Sequence, residues 1–127
     1  RAEPPADPLV FLVLDDDEAS RYLNRSLLET EFPRSRVIEC GSVRDALAAS
    51  AGRHLDAVIT DHHLGQGDGA EFVSGLRAQG ATCPVLMVTG RSDPKVHERA
   101  YAAGASRVFF GSDLDFTEYL KLTLRKT

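Results

Sequence analysis

Five short apolar runs recur along this chain, each followed by a stretch with helical spacing, and that alternation limits the fold more than any other feature. The runs are Leu9 to Leu14, Arg36 to Glu39, Ala57 to Thr60, Val85 to Thr89 and Arg107 to Phe110. Leu9 to Leu14 is apolar throughout and bounded by charge. It reads as a strand buried on both faces, as parallel strands are when helices cover the sheet. Between the runs, Ala19, Leu23, Leu27 and Leu28 share one helical face, Val43, Ala46 and Leu47 a second, and Phe72, Val73 and Leu76 a third. Ser42 and Asp45 open the second helix in a capping-box pattern. A fourth helix runs from Asp93 as N-cap and Pro94 as first-turn proline through Val96 and Ala100 to a stop at Gly104. The fifth carries Phe116, Tyr119, Leu120, Thr123 and Leu124, with Asp115 as its cap and Glu118 three residues on.

Strict alternation implies right-handed parallel crossovers and helices on both faces of the sheet. The expected fold is α/β: a five-stranded parallel sheet in the order 2-1-3-4-5, doubly wound with five helices, flavodoxin-like. A chain of 127 residues fits one domain, since domains commonly run ~100 to 200 residues. That domain is placed at residues 9–127. The opening RAEPPADP, residues 1–8, reads as a flexible lead-in or linker, and with no initial methionine the chain reads as a domain cut from a longer protein.

Composition excludes several classes of function. The chain is 43% hydrophobic and 27% charged, with no apolar stretch near the ~20 residues of a membrane span. Its formal net charge is -4 and its basic residues are scattered, so it lacks the Lys/Arg stripe of a direct nucleic-acid binder. No signal peptide opens the chain, which fits a cytoplasmic protein. Cys40 and Cys83, widely spaced and beside apolar segments, read as small core thiols rather than a disulfide framework or zinc site.

The chemistry gathers at two strand ends. Asp15, Asp16 and Asp17 follow the first run directly, and Asp61 ends the third. In the expected order, strands 1 and 3 flank the switch point, so their following loops open into one crevice. Carboxylates crowded there repel one another and resist ionisation until a hard cation takes oxygen ligands from several of them. The reading is a magnesium site of Asp15, Asp16 and Asp61. Asp17 is instead the expected cap of helix 1. His62 and His63, leaving a strand as neighbours, point apart and are not expected to chelate together. Asp15 and Asp17 also satisfy the DxD of haloacid-dehalogenase-like phosphatases, but that fold needs a later lysine, an acidic pair and more chain.

Several motifs at mutually consistent spacing, VLDDDEASR, DAVITDHHLGQGDG, PVLMVTG and GASRVFF, together resemble the receiver domain of two-component response regulators, over nearly the whole chain from Val10 to about Arg125. The resemblance implies that Asp61 is the phosphoacceptor, Asp16 a direct Mg2+ ligand, and Asp15 an acidic residue holding the metal mainly through water. It implies a further ligand in the backbone carbonyl of His63, a phosphoryl-binding hydroxyl at Thr89, and a small residue beside it at Gly90. The implied partners are a histidine kinase or phosphotransfer protein, an output domain in the same chain, and a second copy through helix 4, strand 5 and helix 5. The implied activity is signalling rather than enzymatic, with the domain promoting its own phosphotransfer and dephosphorylation. A carboxylate can attack a phosphohistidine to give an aspartyl phosphate when a divalent cation offsets the gathered charge.

The chain departs from the family pattern at three places. The lysine expected just after strand 5 is replaced by Gly111, followed by Ser112; the aromatic switch position falls on Val108; and the proline expected after Leu64 is Gly65. Loss of the lysine removes a charge-assisted contact to the phosphoryl group and alters switching. Arg91, two residues after Thr89, reads first as a solvated loop charge, with the alternative that it supplies part of the missing charge from the pocket rim. The competing function is a degenerate pseudo-receiver that binds proteins independently of phosphorylation.

Overall fold

The computed structural model describes residues 8–65, 67–90, 93–110 and 116–124. Strands and helices alternate as β1 (Leu9–Leu14), α1 (Glu18–Glu31), β2 (Ser35–Cys40), α2 (Val43–Ser50), β3 (Ala57–Asp61), α3 (Gly69–Ala78), β4 (Val85–Thr89), α4 (Pro94–Ala103), β5 (Arg107–Phe110) and α5 (Phe116–Leu124). All strand pairs are parallel and the order is β2-β1-β3-β4-β5, as the alternation predicts. Most of the lead-in, the Asp115 cap, Arg91, Gly111 and Ser112 lie outside the described residues.

The side-chain period of a strand divides the interior in two. Leu12 and Leu14 of β1 join Val58, Val85 and Met87 under α2, α3 and α4, where Ala46, Phe72, Val73, Leu76 and Ala100 pack. Phe11 and Val13 turn the other way, with Ala57, Ile59, Leu86 and Phe109 against Leu28 of α1 and Phe116 and Leu120 of α5. Burial on both faces explains why β1, β3 and β4 are apolar without alternation.

Helix α1 departs from the expected face. Leu28 is buried and Leu27 packs beside it, but Ala19 and Leu23 face outward, Leu23 being 56% exposed. The cause is Arg21, which points in: its Nη1 donates to the Asp15 carbonyl at 2.8 Å and its Nε pairs with Glu39 at 3.5 Å. The buried apolar contacts of α1 therefore lie in its C-terminal half, at Leu27 and Leu28. Of the two thiols, Cys40 is buried and Cys83, in the loop entering β4, only partly; both are free.

Side chains fix where the helices begin and end. Asp17 caps α1 by accepting from the Ser20 N–H, Ser42 caps α2, and Asp93 caps α4 with Pro94 in its first turn. A two-way capping box closes at α3, where Asp68 accepts from the Glu71 N–H and Glu71 accepts from the Asp68 N–H. Gly104 ends α4 at φ 114°, a left-handed conformation that glycine adopts without a Cβ penalty. No helix among the described residues is long and apolar enough to cross a membrane.

Candidate functional site

Sheet register levels the two acidic strand ends. Leu14 pairs with Cys40 on one side and Thr60 on the other, so Asp15 emerges beside Asp61. The Asp15 N–H still donates to the Cys40 carbonyl at 3.1 Å, which carries the β1 trace one residue past the strand. As a result Asp15, Asp16 and Asp61 each offer a carboxylate oxygen to one space, all within 4.8 Å of one another. Asp15 is buried, Asp61 intermediate and Asp16 exposed, so the space opens outward on the Asp16 side.

Backbone amides orient these carboxylates. Asp15 Oδ1 accepts from the Asp17 N–H at 2.9 Å, Asp61 Oδ1 from the His62 N–H at 2.8 Å, and Asp16 Oδ2 from the Gly65 N–H at 2.8 Å. Burial pushes the Asp15 carboxyl up to about 6, against the lowering effect of the Asp17 amide and helped by the charges of Asp61 and Asp16. Burial also raises Asp61, partly offset by the amides of His62 and His63. Two carboxyls held above their ordinary range in one crevice are charges short of a counterion. An all-oxygen donor set without thiol or imidazole fits a hard divalent cation.

Thr89 ends β4 fully buried, one residue beyond the Asp61↔Val88 pair, and so belongs to the same end of the sheet. His63 is exposed and bridges to Asp68 while its backbone stays beside Asp61, and neither histidine side chain joins a metal-capable group among the described residues. Asp17, the other acid of the DxD spacing, has its carboxylate on the first turn of α1 as the helix cap, and it is not part of the group formed by Asp15, Asp16 and Asp61.

Two contributors are not evident from residue types alone. The Gly65 amide reaches Asp16 across two loops. Gly69 opens α3 directly against β3, because a Cβ there would meet the Asp61 carbonyl oxygen and the Met87 Cε. The Asp-Gly pair that forms part of the motif pattern thus combines a helix cap, Asp68, with a residue that needs no side chain. Asp68 also pairs with Arg99 of α4; burial would raise its pKa, but Arg99 and the Glu71 amide bring it below the ordinary value. This cap is not among the expectations drawn from sequence, although the D-x-x-E spacing of Asp68 and Glu71 is a signal that could have found it.

Comparison with known proteins agrees with this fold. The family model for the response regulator receiver domain matches residues 11–110. The chain is 35% identical over 94 residues to the KDP operon transcriptional regulatory protein KdpE of Escherichia coli K12, covering 74% of this chain and 40% of that protein. It is 29% identical over 109 residues to the transcriptional regulatory protein PcoR of Escherichia coli, covering 86% and 46%. A CheY-like receiver domain from Methanospirillum hungatei JF-1 superposes with a TM-score of 0.84 at 21% identity, over 94% of this chain and 95% of that one. The chemotaxis response regulator CheY4 of Vibrio cholerae gives 0.77 at 26% identity, over 94% and 98%. The chain therefore belongs to the receiver domains of two-component response regulators. It spans less than half the length of KdpE and PcoR.

Proposed function

We propose that Asp61 accepts a phosphoryl group from a phosphohistidine on a histidine kinase or phosphotransfer protein. The observation that supports this most directly is the convergence of Asp15, Asp16 and Asp61 within 4.8 Å at the ends of β1 and β3. A carboxylate oxygen of Asp61 attacks phosphorus, an O–P bond forms, the P–N bond to the donor imidazole breaks, and the imidazole leaves. The His62 amide holds Oδ1 and so fixes the carboxylate's orientation for that attack. The Thr89 hydroxyl donates to a phosphoryl oxygen, and Gly90 leaves room for it. Asp15, Asp16, Asp61 and the His63 backbone carbonyl would hold Mg2+, which when bound offsets the negative charge gathered between acceptor and phosphoryl oxygens. Attack of water on phosphorus later releases phosphate and regenerates Asp61, so the domain turns over its own modification without acting on an outside substrate.

A signalling domain of this kind works in the cytoplasm and passes its state to an output segment of the same chain. Tyr101 on α4, Phe110 on β5 and Leu122 on α5 are exposed, each available to that segment or to a second copy. Acetyl phosphate with magnesium is expected to retard the protein on a phosphate-affinity gel, and Asp61→Asn to abolish the retardation. Equal retardation of the variant would place the modification elsewhere. The lysine-to-glycine change at Gly111 favours a second reading, a phosphorylation-independent interaction module. That reading is selected if the folded, unmodified chain is never retarded.

A further inference from the structure

We infer that the Gly65 amide positions the Asp16 carboxylate for a divalent cation, and that the glycine standing where the family pattern has proline is what makes this contact available. Each acid of the crevice has one oxygen tied to a backbone N–H: Asp15 to Asp17 at 2.9 Å, Asp61 to His62 at 2.8 Å, Asp16 to Gly65 at 2.8 Å. The first two donors are near neighbours in sequence, and residues of almost any type there would supply them. The third is different in kind. It crosses from the loop after β1 to the loop after β3, and a proline at position 65 would have no N–H to give.

Asp16 is the exposed member of the three, so packing restrains its side chain least. An exposed carboxylate free to rotate loses conformational entropy when a cation fixes it. With Oδ2 already tied to Gly65, the carboxylate meets a cation at smaller entropic cost, and Oδ2 itself keeps a lone pair. Hydrogen-bond partners of metal-binding carboxylates act in this way, and their removal typically costs about tenfold to a hundredfold in metal affinity. The space beside Gly65 is also limited: a Cβ would stand 3.2 Å from Asp16 Oδ2, close enough to need a shift of a few tenths of an ångström in a mobile side chain.

This inference rests on the magnesium reading above, and the experiment separates the two. Magnesium alone is titrated into the metal-free protein while backbone amide shifts of the crevice are followed, in the unmodified chain, Gly65→Pro and Gly65→Ala. Gly65→Pro is expected to weaken magnesium about tenfold or more. Gly65→Ala, which keeps the N–H but sets a Cβ 3.2 Å from Asp16 Oδ2, is expected to weaken magnesium clearly less than Gly65→Pro. In an Asp16→Ala background, Gly65→Pro is expected to change nothing further. A merely structural glycine would lower the thermal midpoint without moving the magnesium affinity. Unchanged affinity in Gly65→Pro, or equal weakening in Gly65→Ala, overturns the inference alone. Absence of crevice shifts in the unmodified chain overturns the magnesium reading and this inference with it. Should Gly65→Pro not fold, exchange of the Gly65 amide decides: faster exchange in Asp16→Ala is expected, and unchanged exchange overturns the contact.

Discussion

Gly69 lies so close to Asp61 that a Cβ on it would stand 2.2 Å from the Asp61 carbonyl oxygen. The same atom would be 2.9 Å from Met87 Cε, so neither strand neighbour leaves room for a methyl group. Thr60 Oγ1 donates to that carbonyl at 3.0 Å, which further limits its retreat. The first turn of α3 is thus pressed onto the strand end that carries the proposed acceptor.

Gly69→Ala is therefore expected to cost about 1–3 kcal/mol, the usual range for overpacking a filled site. Urea unfolding followed by circular dichroism measures it. The displaced Asp61 backbone should also slow acetyl phosphate labelling. Wild-type stability in this variant would show that α3 slides off β3 without penalty.

Stability of the metal-free protein should depend on pH through Asp15. Burial raises its folded pKa from 3.8 to about 6, so between those values the folded state binds more protons than the unfolded one. Stability accordingly falls as pH rises through that window, by at most ~3 kcal/mol for this group. Asp61, raised by burial, acts in the same direction, while Asp68, which ends below its ordinary value, acts in the opposite one. Asp15→Asn should flatten most of the decline in chemical-denaturation midpoints between pH 4 and 7, and a steeper decline in the variant would contradict the assignment.

The glycine at position 111 is expected to weaken switching. A charge-assisted contact is worth ~1.5 to 3 kcal/mol, enough to move a two-state equilibrium about tenfold to a hundredfold. Beryllium fluoride should therefore change the amide shifts of Tyr101, Val108 and Phe110 little in the unmodified chain and more in Gly111→Lys. A full-sized change that persists in Arg91→Ala would show that neither the lysine nor Arg91 is needed.

Both core faces and the acidic triad were legible because they follow from periodicity and from carboxylates at strand ends, whereas the strand order came with the flavodoxin-like class that the alternation implies and from no residue pattern of its own. Phe11 and Leu12 already imply two buried faces when neither neighbour is polar. The orientation of α1 was not legible, since spacing marks Leu23 and Leu27 as equals and only Arg21, drawn in by Glu39 and the Asp15 carbonyl, breaks the tie. Backbone donors are hidden for a related reason: the Gly65 N–H belongs to every residue type but proline, so its partner Asp16 emerges only when two loops are placed together.

The levelling of Leu14 with Thr60 has a thermodynamic consequence. Neither the segment bearing Asp15 and Asp16 nor the one bearing Asp61 forms the crevice by itself, so a cation that needs all three ignores the unfolded chain. Its binding free energy then adds to that of folding as RT ln(1 + [L]/Kd). A divalent cation held by the three carboxylates would thus act as a selective stabiliser of one strand register, drawing the chain toward the native pairing.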